Sequence, residues 1–153
     1  MTRIRTPHCY RAIALCASIL GGTAYAQLGS TIVKPSDPSH AAVMQHTQNG
    51  QLSFQESIDA NGICVRQYVS SAGDVYAVSW HGPAMPDVEV LLGSHYARYR
   101  NSASTSQADN GLHASRVSQG DLVVESGVRL REFIGRAWLT SAMPAGAIAS
   151  DIE

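Results

Sequence analysis

The chain has 153 residues, 15% of them charged and 44% hydrophobic, and a formal net charge of −1. This balance is typical of a globular protein with enough chain for one packed core. It excludes a strongly basic surface of the kind that binds nucleic acid.

The N-terminus has the pattern of a secretory signal peptide. Three arginines precede the apolar run Ala12–Leu20, and Ala24-Tyr25-Ala26 supplies the small residues of a cleavage site. The apolar run is shorter than the ~20 residues that a transmembrane anchor needs. We therefore predict that residues 1–26 are cleaved and that the protein is exported by the general secretory route, to the periplasm or outside the cell.

Cleavage changes both the charge and the cysteine content of the chain. Loss of three of the 11 basic residues leaves eight against 12 acidic ones, a formal charge of −4. Cys64 is the one cysteine after residue 26, which excludes an intrachain disulfide and a thiolate-only metal site in the processed chain. We expect no nucleic acid partner and no membrane span after processing.

Residues 27–50 are rich in polar residues, glycine and proline, and we predict a flexible lead-in with one short helix at Ser39–His46. A single domain is predicted over residues 51–142. Alternating apolar residues and turn signals at Asn61-Gly62 and Ser70–Asp74 indicate an antiparallel meander. Its three predicted strands are Leu52–Ile58, Ile63–Val69 and Val75–Trp80.

Both faces of the third predicted strand are apolar, so we expect it to lie in the centre of the sheet. His81-Gly82-Pro83 is predicted to end it. An amphipathic helix is predicted over residues 86–100, because Asp87 and Glu89 suit its start and apolar residues recur along one face. Those residues are Val88, Leu91, Leu92, His95, Tyr96 and Tyr99.

The remaining chain reads as a polar loop at 101–111, three strands and a tail at 143–153 laid across the surface. The strands are predicted at Leu112–Val117, Asp121–Ser126 and Val128–Leu139, with a turn at Ser126-Gly127 and a bend or bulge at Gly135. The predicted fold class is α+β: an antiparallel sheet of five to six strands with the 86–100 helix packed on one face.

Several motifs resemble one family of exported proteobacterial proteins. They are Trp80-x-Gly82-Pro83-x-x-Pro86-Asp87, Gly120-Asp121-Leu122-Val123-Val124-Glu125-Ser126-Gly127, Phe133-x-Gly135-Arg136-Ala137 and Pro144-Ala145-Gly146. That family is named only as domain of unknown function two-eight-four-four. The resemblance covers nearly all of the chain after the signal peptide and implies an exported single-domain protein. It implies no activity, ligand or catalytic residue.

Three side chains are candidates for catalysis. His81 lies at a predicted strand end, where functional groups gather, although a solvated loop histidine fits as well. His95 lies on the apolar helix face, where an imidazole bonded to a neighbour is the ordinary interpretation. Cys64 lies within a strand, where a buried cysteine usually acts as a small hydrophobe; a Cys64/His81 pair requires adjacent strands.

Other constellations are weaker. No metal-binding spacing occurs, so no metal and no cofactor is predicted; His113 and Asp121 are the residues that could join the two histidines. Glu125 and Glu132 could face each other across a hairpin and divide acid and base roles.

Aromatic residues could line a binding groove, and Trp80, His81, Tyr96 and Tyr99 are the binding candidates. Packing in the core is the alternative role for the three aromatic side chains.

We therefore predict a non-catalytic periplasmic or secreted binding module, whose partner is an envelope protein or cell-surface component. The alternative is a small hydrolase or metal-dependent enzyme that uses His81. A third hypothesis is an inhibitor or chaperone-like subunit that adds a strand to a partner through an exposed edge strand, Leu52–Ile58.

Overall fold

A computed structural model describes residues 27–32, 44–47, 52–105 and 114–153. Its main element is one antiparallel sheet of seven strands in the order β1-β2-β3-β4-β7-β6-β5. The strands are β1 Met44–His46, β2 Ser53–Ile58, β3 Cys64–Val69, β4 Val75–Gly82, β5 Ala114–Gln119, β6 Leu122–Arg129 and β7 Glu132–Leu139.

The sheet has one strand more than the predicted five to six. The additional strand is β1, which pairs with β2 where we predicted part of a helix. The predicted helix Ser39–His46 is therefore wrong over its last three residues, and residues 39–43 lie outside the described part of the chain. Pairing with the neighbouring strand has overridden the helix propensity of this short segment.

β4 lies between β3 and β7 in the middle of the sheet, as its two apolar faces predict. It does not end at Trp80, because His81 and Gly82 continue the pairing with β7. A Cβ atom on Gly82 would lie 2.9 Å from the Cα atom of Ile63. Glycine at this position therefore permits β4 and the segment at Ile63 to approach each other closely, whereas we predicted that it ends the strand.

The helical segment begins two residues later and ends five residues later than predicted. Helix α1 spans Val88–Leu92, and the side chain of Asp87 caps it by accepting a hydrogen bond from the Val90 amide at 3.1 Å. A 3₁₀ turn at Gly93–His95 separates it from helix α2, Tyr96–Thr105. The first part of the predicted 101–111 loop is therefore helical.

The segment Gln27–Ile32 is packed against the fold, although we predicted an exposed lead-in. Leu28 is 1% exposed, and its amide donates to the Leu91 carbonyl at 2.9 Å. The amide of Gly29 donates to the carbonyl of Val75 at 2.8 Å. These hydrogen bonds join the helix and β4 through the N-terminal segment.

The last hairpin turns at Leu130-Arg131, and the predicted turn at Ser126-Gly127 is wrong. Both turn residues have positive φ angles, 50° and 72°, which a two-residue type I′ turn requires. Ser126 and Gly127 instead pair with Gly135 and Ile134 within the β6–β7 ladder. The turn carries no Gly or Asn, and this explains why the sequence pattern favoured the wrong site.

Gly135 sits in regular register, without the predicted bend or bulge. Its cross-strand partner is Trp80, and a Cβ atom on Gly135 would lie 2.3 Å from Cζ2 of the indole. The glycine is required here because the indole ring occupies the space that a Cβ atom would fill.

Each face of the sheet has its own apolar core. On the helix face, α1, α2 and the N-terminal segment cover a cluster that includes Leu92, Val78, Trp80 and Leu122. The tail, Met143–Glu153, packs on the opposite face, which we call the tail face. Ile152 is 1% exposed there, so the tail forms part of the core and does not merely cross the surface.

Candidate functional site

Three rows of side chains cross the tail face at right angles to the strands. Alternate residues of a strand point to the same face, and the pairing register aligns them from strand to strand. We call them the apolar row, the charged row and the open row. The apolar row is Phe54, Tyr68, Ala77, Trp138 and Val123; the charged row is Glu56, Arg66, Ser79, Arg136, Glu125 and Arg116; the open row is Ile58, Cys64, His81, Ile134, Gly127 and Ala114.

The apolar row is covered by the tail. All five of its members are buried, and Ile152 packs among them. Tyr76, which precedes Ala77, is also buried here; burial raises the pKa of its phenol to about 12. Its hydroxyl has no hydrogen-bond partner within the described segments.

The charged row consists of ion pairs between neighbouring strands. Arg66 contacts Glu56 at 2.7 Å, and Glu125 accepts from both Arg136, at 2.7 Å, and Arg116. The hydrogen bond from Arg66 lowers the pKa of Glu56. Exposed pairs of this kind contribute only ~0.2–1 kcal/mol each to folding, so the row is better understood as a positioned set of charges than as a source of stability.

Aromatic rings hold these arginines in place. The guanidinium of Arg66 lies 5.1 Å from the ring centroid of Phe54. Arg136 and Arg116 lie 5.5 and 5.9 Å from the centroid of Trp138. A planar guanidinium stacked on a ring and paired with a carboxylate loses little further entropy when it binds a ligand.

The tail is bound to this face through its main chain. Arg136 donates to the carbonyl oxygens of Ala149, at 2.8 Å, and Ile152, at 3.2 Å. The main-chain oxygen of Glu153 accepts from Ser79 at 2.6 Å and from Arg66 at 3.1 Å. The charged row thus already holds a stretch of peptide by its backbone oxygens.

The open row is not covered by the tail. Ile58 is 69% exposed and Ile134 is 37% exposed, large fractions for isoleucine. Over β5, β6 and β7 this row forms the floor of a cleft of about 690 Å³. Arg116, Arg136 and Arg129 line the cleft, and Ile152 and Glu153 of the tail close one side. Its size is within the usual range of ligand sites.

His81 lies in the middle of the open row, and its side chain is exposed. Its cross-strand partners are Cys64 and Ile134, so the adjacent-strand arrangement that a Cys64/His81 pair requires is present. However, burial and the neighbouring Glu56 carboxylate raise the pKa of the Cys64 thiol. A nucleophilic cysteine needs a lowered pKa, so this geometry does not produce an activated thiolate.

His95 does not approach His81. It lies on the helix face, where a Cβ atom on Gly29 would come 2.5 Å from its Nε2 atom, with Leu139 nearby. Its Nδ1 atom contacts Nη2 of Arg98 at 2.6 Å. Leu139, which lies near His95, and Ile134, the neighbour of His81, are five residues apart on β7. At the rise of a strand, this places the two histidines about 16 Å apart along the sheet. They also lie on its opposite faces.

A polar network on the helix face holds the side chain of His95. Arg98 also contacts Asp121 at 3.0 Å, and Asp121 accepts from Ser141 at 2.7 Å. Desolvation, followed by the charge of Arg98, lowers the pKa of His95, so the imidazole is neutral at neutral pH. Nδ1 then accepts from the guanidinium, and the ring bridges the 3₁₀ turn and α2.

The aromatic binding candidates also lie on the helix face. Trp80 is 2% exposed, and Tyr96 and Tyr99 pack against the same core with ring centroids 6.2 Å apart. The Trp80 indole nitrogen is buried without a partner in the part of the chain that the structure describes. Of the four binding candidates, Trp80 and His81 line the cleft, and only His81 is exposed.

The remaining predicted sites are not assembled. Glu125 and Glu132 do not face each other, because the register pairs Glu125 with Arg136 and Glu132 with Arg129. Within residues 27–32, 44–47, 52–105 and 114–153, no group of three or more His, Cys, Asp or Glu side chains is placed to hold a metal ion. His113 lies outside those ranges.

The predicted edge strand is partly an interior strand. β1 pairs with Ser53, Phe54 and Gln55, so among the described residues β2 lacks a partner on this side only from Glu56 to Ile58. Three residues are a short template for an added strand. This edge therefore offers less to a partner strand than the sequence pattern suggested.

Sequence reasoning missed most of the cleft. Arg116, Arg129, Ile134 and Arg136 come together only in the register that the Leu130-Arg131 turn imposes. Counting outward from that turn would have paired Glu125 with Arg136 and Gly127 with Ile134. The more conspicuous Ser126-Gly127 dipeptide hid this signal.

The fold and site together define a small α+β domain whose open sheet face carries a ligand-sized cleft. No helix among the described segments is long and apolar enough to cross a membrane. Residues 24–152 match the family model described as "Protein of unknown function (DUF2844)", so the chain belongs to this family, as its motifs indicated. No curated protein and no solved structure matches the chain.

Proposed function

We propose that this protein is an exported, non-catalytic binding module, located in the periplasm or outside the cell, and that the cleft over the open row is its binding site. The observation that carries the proposal is the uncovered row itself. The tail seals the apolar row, but it leaves Ile134 and His81 of the open row exposed within a cleft of about 690 Å³. Exposed apolar side chains rimmed by charged ones are typical of an interaction surface.

The state of the candidate catalytic groups favours binding over catalysis. The Cys64 thiol has a raised pKa, and His95 belongs to a separate network with Arg98 and Asp121. His81 is left with Cys64 and Ile134 as its neighbours in the row. Neither of them orients an imidazole. The Glu56 carboxylate interacts with His81 electrostatically, but no hydrogen bond between the described residues holds the ring in the geometry that general acid–base catalysis requires.

Site-specific crosslinking in living cells tests the binding site. A photoreactive benzoylphenylalanine is placed at Ile134, which is 37% exposed, or at Val90, which is 39% exposed on α1. The proposal expects a discrete crosslinked product from position 134 and none from position 90. Equal products from both positions, or none from position 134, would contradict it.

Cell fractionation tests the location. We expect the protein in the periplasmic or extracellular fraction, with an N-terminus that begins at Gln27. A cytoplasmic protein with residues 1–26 intact would overturn the export part of the proposal and leave the binding site to the crosslinking result.

A further inference from the structure

We infer that the ligand of the open row is an extended acidic peptide segment with at least one apolar side chain. This inference rests on the proposed function, since it names the class of ligand for the same cleft. Four observations carry it: the length of the row, the way the tail is bound, the charges around the cleft and the exposed isoleucines.

The length of the open row suits a short extended chain. Six residues on six adjacent strands are separated by five strand spacings. At about 4.8 Å per spacing, the row is about 24 Å long. An extended peptide rises about 3.4 Å per residue, so about seven residues would cover it.

The tail shows how this face binds a peptide. Arg136, Arg66 and Ser79 donate to main-chain oxygens of the tail, and Ile152 is buried beside them. Backbone oxygens of any sequence can accept from such donors, and one apolar side chain anchors the segment. A second chain along the neighbouring row would meet the same guanidinium groups from their other side.

The charges around the cleft favour an acidic ligand. Three arginines and two glutamates line it, in a chain whose formal net charge is −1. Arg116 and Arg136 share the single carboxylate of Glu125. Arg129 is exposed and pairs with Glu132 in the β6–β7 ladder, but its side chain makes no hydrogen bond or ion pair in the segments that the structure describes. Its guanidinium is therefore ready to bind a carboxylate of the ligand.

The floor of the row requires an apolar group on the ligand. Ile58 and Ile134 are exposed at two places along the row. Beyond Ile134, the row continues to the end of the cleft with two small residues, Gly127 and Ala114. An aliphatic side chain lying over Ile134 would bury apolar surface that water now covers. An anion without an apolar part would leave this surface exposed.

Fluorescence anisotropy with three labelled octapeptides tests the inference, using protein expressed from its full-length sequence. The peptides alternate Val with Glu, Lys or Gln. We expect the Glu/Val peptide to bind, and the Lys/Val peptide to bind at least about tenfold more weakly because of the cleft's arginines. Raising the salt from 50 to 300 mM should weaken the Glu/Val complex, since exposed charges are screened.

Two charge reversals at the same hairpin separate a specific contact from general electrostatics. R129E should weaken Glu/Val binding about fivefold to tenfold, because it replaces an attraction with a repulsion. R131E makes the same change two residues away, at the turn and outside the cleft, and should change binding less than about twofold. Both residues are exposed, so both variants should fold.

The outcomes are distinct. Equal binding of the three peptides, or equal effects of R129E and R131E, would overturn the acidic part of the inference. Binding of anionic lipid vesicles or polyuronate with R129E dependence, and of no peptide, would assign the cleft to another class of ligand. If no peptide binds but position 134 still forms its crosslink, the inference fails and the proposed binding site stands.

Discussion

The contact between Trp80 and Gly135 gives the sharpest test of this packing. We predict that Gly135→Ala strongly destabilises the fold. The added methyl group would lie 2.3 Å from Cζ2 and 2.5 Å from Cε2 of the indole, and 2.7 Å from the main-chain oxygen of Glu125. Real Cβ atoms do not approach other atoms this closely, so the ring or the strand must move.

The size of the destabilisation depends on which atoms can move to make room for the added methyl group. Overpacking a core typically costs about 1–3 kcal/mol, and here both obstacles are rigid: a ring that is 2% exposed and a backbone oxygen in the sheet. The lower chain entropy of alanine in the unfolded state offsets about 0.5 kcal/mol. Because both obstacles are rigid, the upper half of that range applies, and we expect a net loss of about 1.5–2.5 kcal/mol. At about 4 °C per kcal/mol for a domain of this size, the melting temperature falls by roughly 6–10 °C.

Calorimetry or thermal circular dichroism on single and double variants measures this effect. If the indole is the obstacle, Gly135→Ala should cost at least about 1 kcal/mol less in a Trp80→Leu background than alone, because the smaller side chain leaves room. A Gly135→Ala protein that melts within about 2 °C of wild type would refute the reasoning. The same cost in both backgrounds would assign the strain to the Glu125 backbone instead.

Three further changes test other parts of the fold. Replacing Leu130-Arg131 with Asn-Gly should stabilise the protein by about 1–2 kcal/mol in urea titrations, because both residues have positive φ; no gain would mean that the turn is not strained. Ile152→Ala should cost about 2–5 kcal/mol because Ile152 is 1% exposed, and a loss below 1 kcal/mol would show that the tail is not part of the core. The pKa of His95 is lowered below 6.5, so the unfolded state takes up the proton first as the pH falls. Unfolding free energy should therefore be full above pH 6.5 and decrease below it until the folded-state pKa is passed, and His95→Gln should flatten this decrease; an unchanged slope would contradict the assignment.

The order of elements was predictable because local signals were strong. Asn61-Gly62 and Gly73 mark real turns, and both glycines have positive φ. Asp87 caps the helix where a carboxylate suits the helix dipole. The central position of β4 followed from its two apolar faces, since only a strand covered on both sides buries both.

The failures share one physical cause, which is that long-range contacts decided the local conformation. The Met44–His46 segment becomes a strand because β2 offers it a partner. The Leu130-Arg131 turn adopts a conformation that neither residue favours, since the register of eight β6–β7 pairs outweighs it. A window of neighbouring residues does not contain this information.

The candidate site was less predictable than the fold for the same reason. His81 could be singled out from its position near Gly-Pro, but its neighbours come from β3 and β7, which pair with it through contacts remote in sequence. Trp80 is buried over Gly135 and His81 is exposed in the cleft because consecutive side chains of a strand point to opposite faces. The alternation of the strand alone is enough to distinguish the two. That alternation was hidden because we expected the strand to end between them.

The register of β7 against its two neighbours, β4 and β6, therefore has a role beyond holding the sheet together. A slip of β7 by one residue against both strands would move Ile134 to the helix face and separate Arg136 from Glu125, because side chains alternate between faces. The strained turn alone would not prevent it, since its two residues favour other conformations. Trp80 prevents the slip, because only a glycine opposite it on β7 leaves room for the indole. Phe133, Ile134 and Arg136 would all clash with the ring at that position. The packing on the helix face thus sets the alignment of the charged and open rows on the tail face, and this is why a Gly135 variant that still folds should also lose affinity at the cleft.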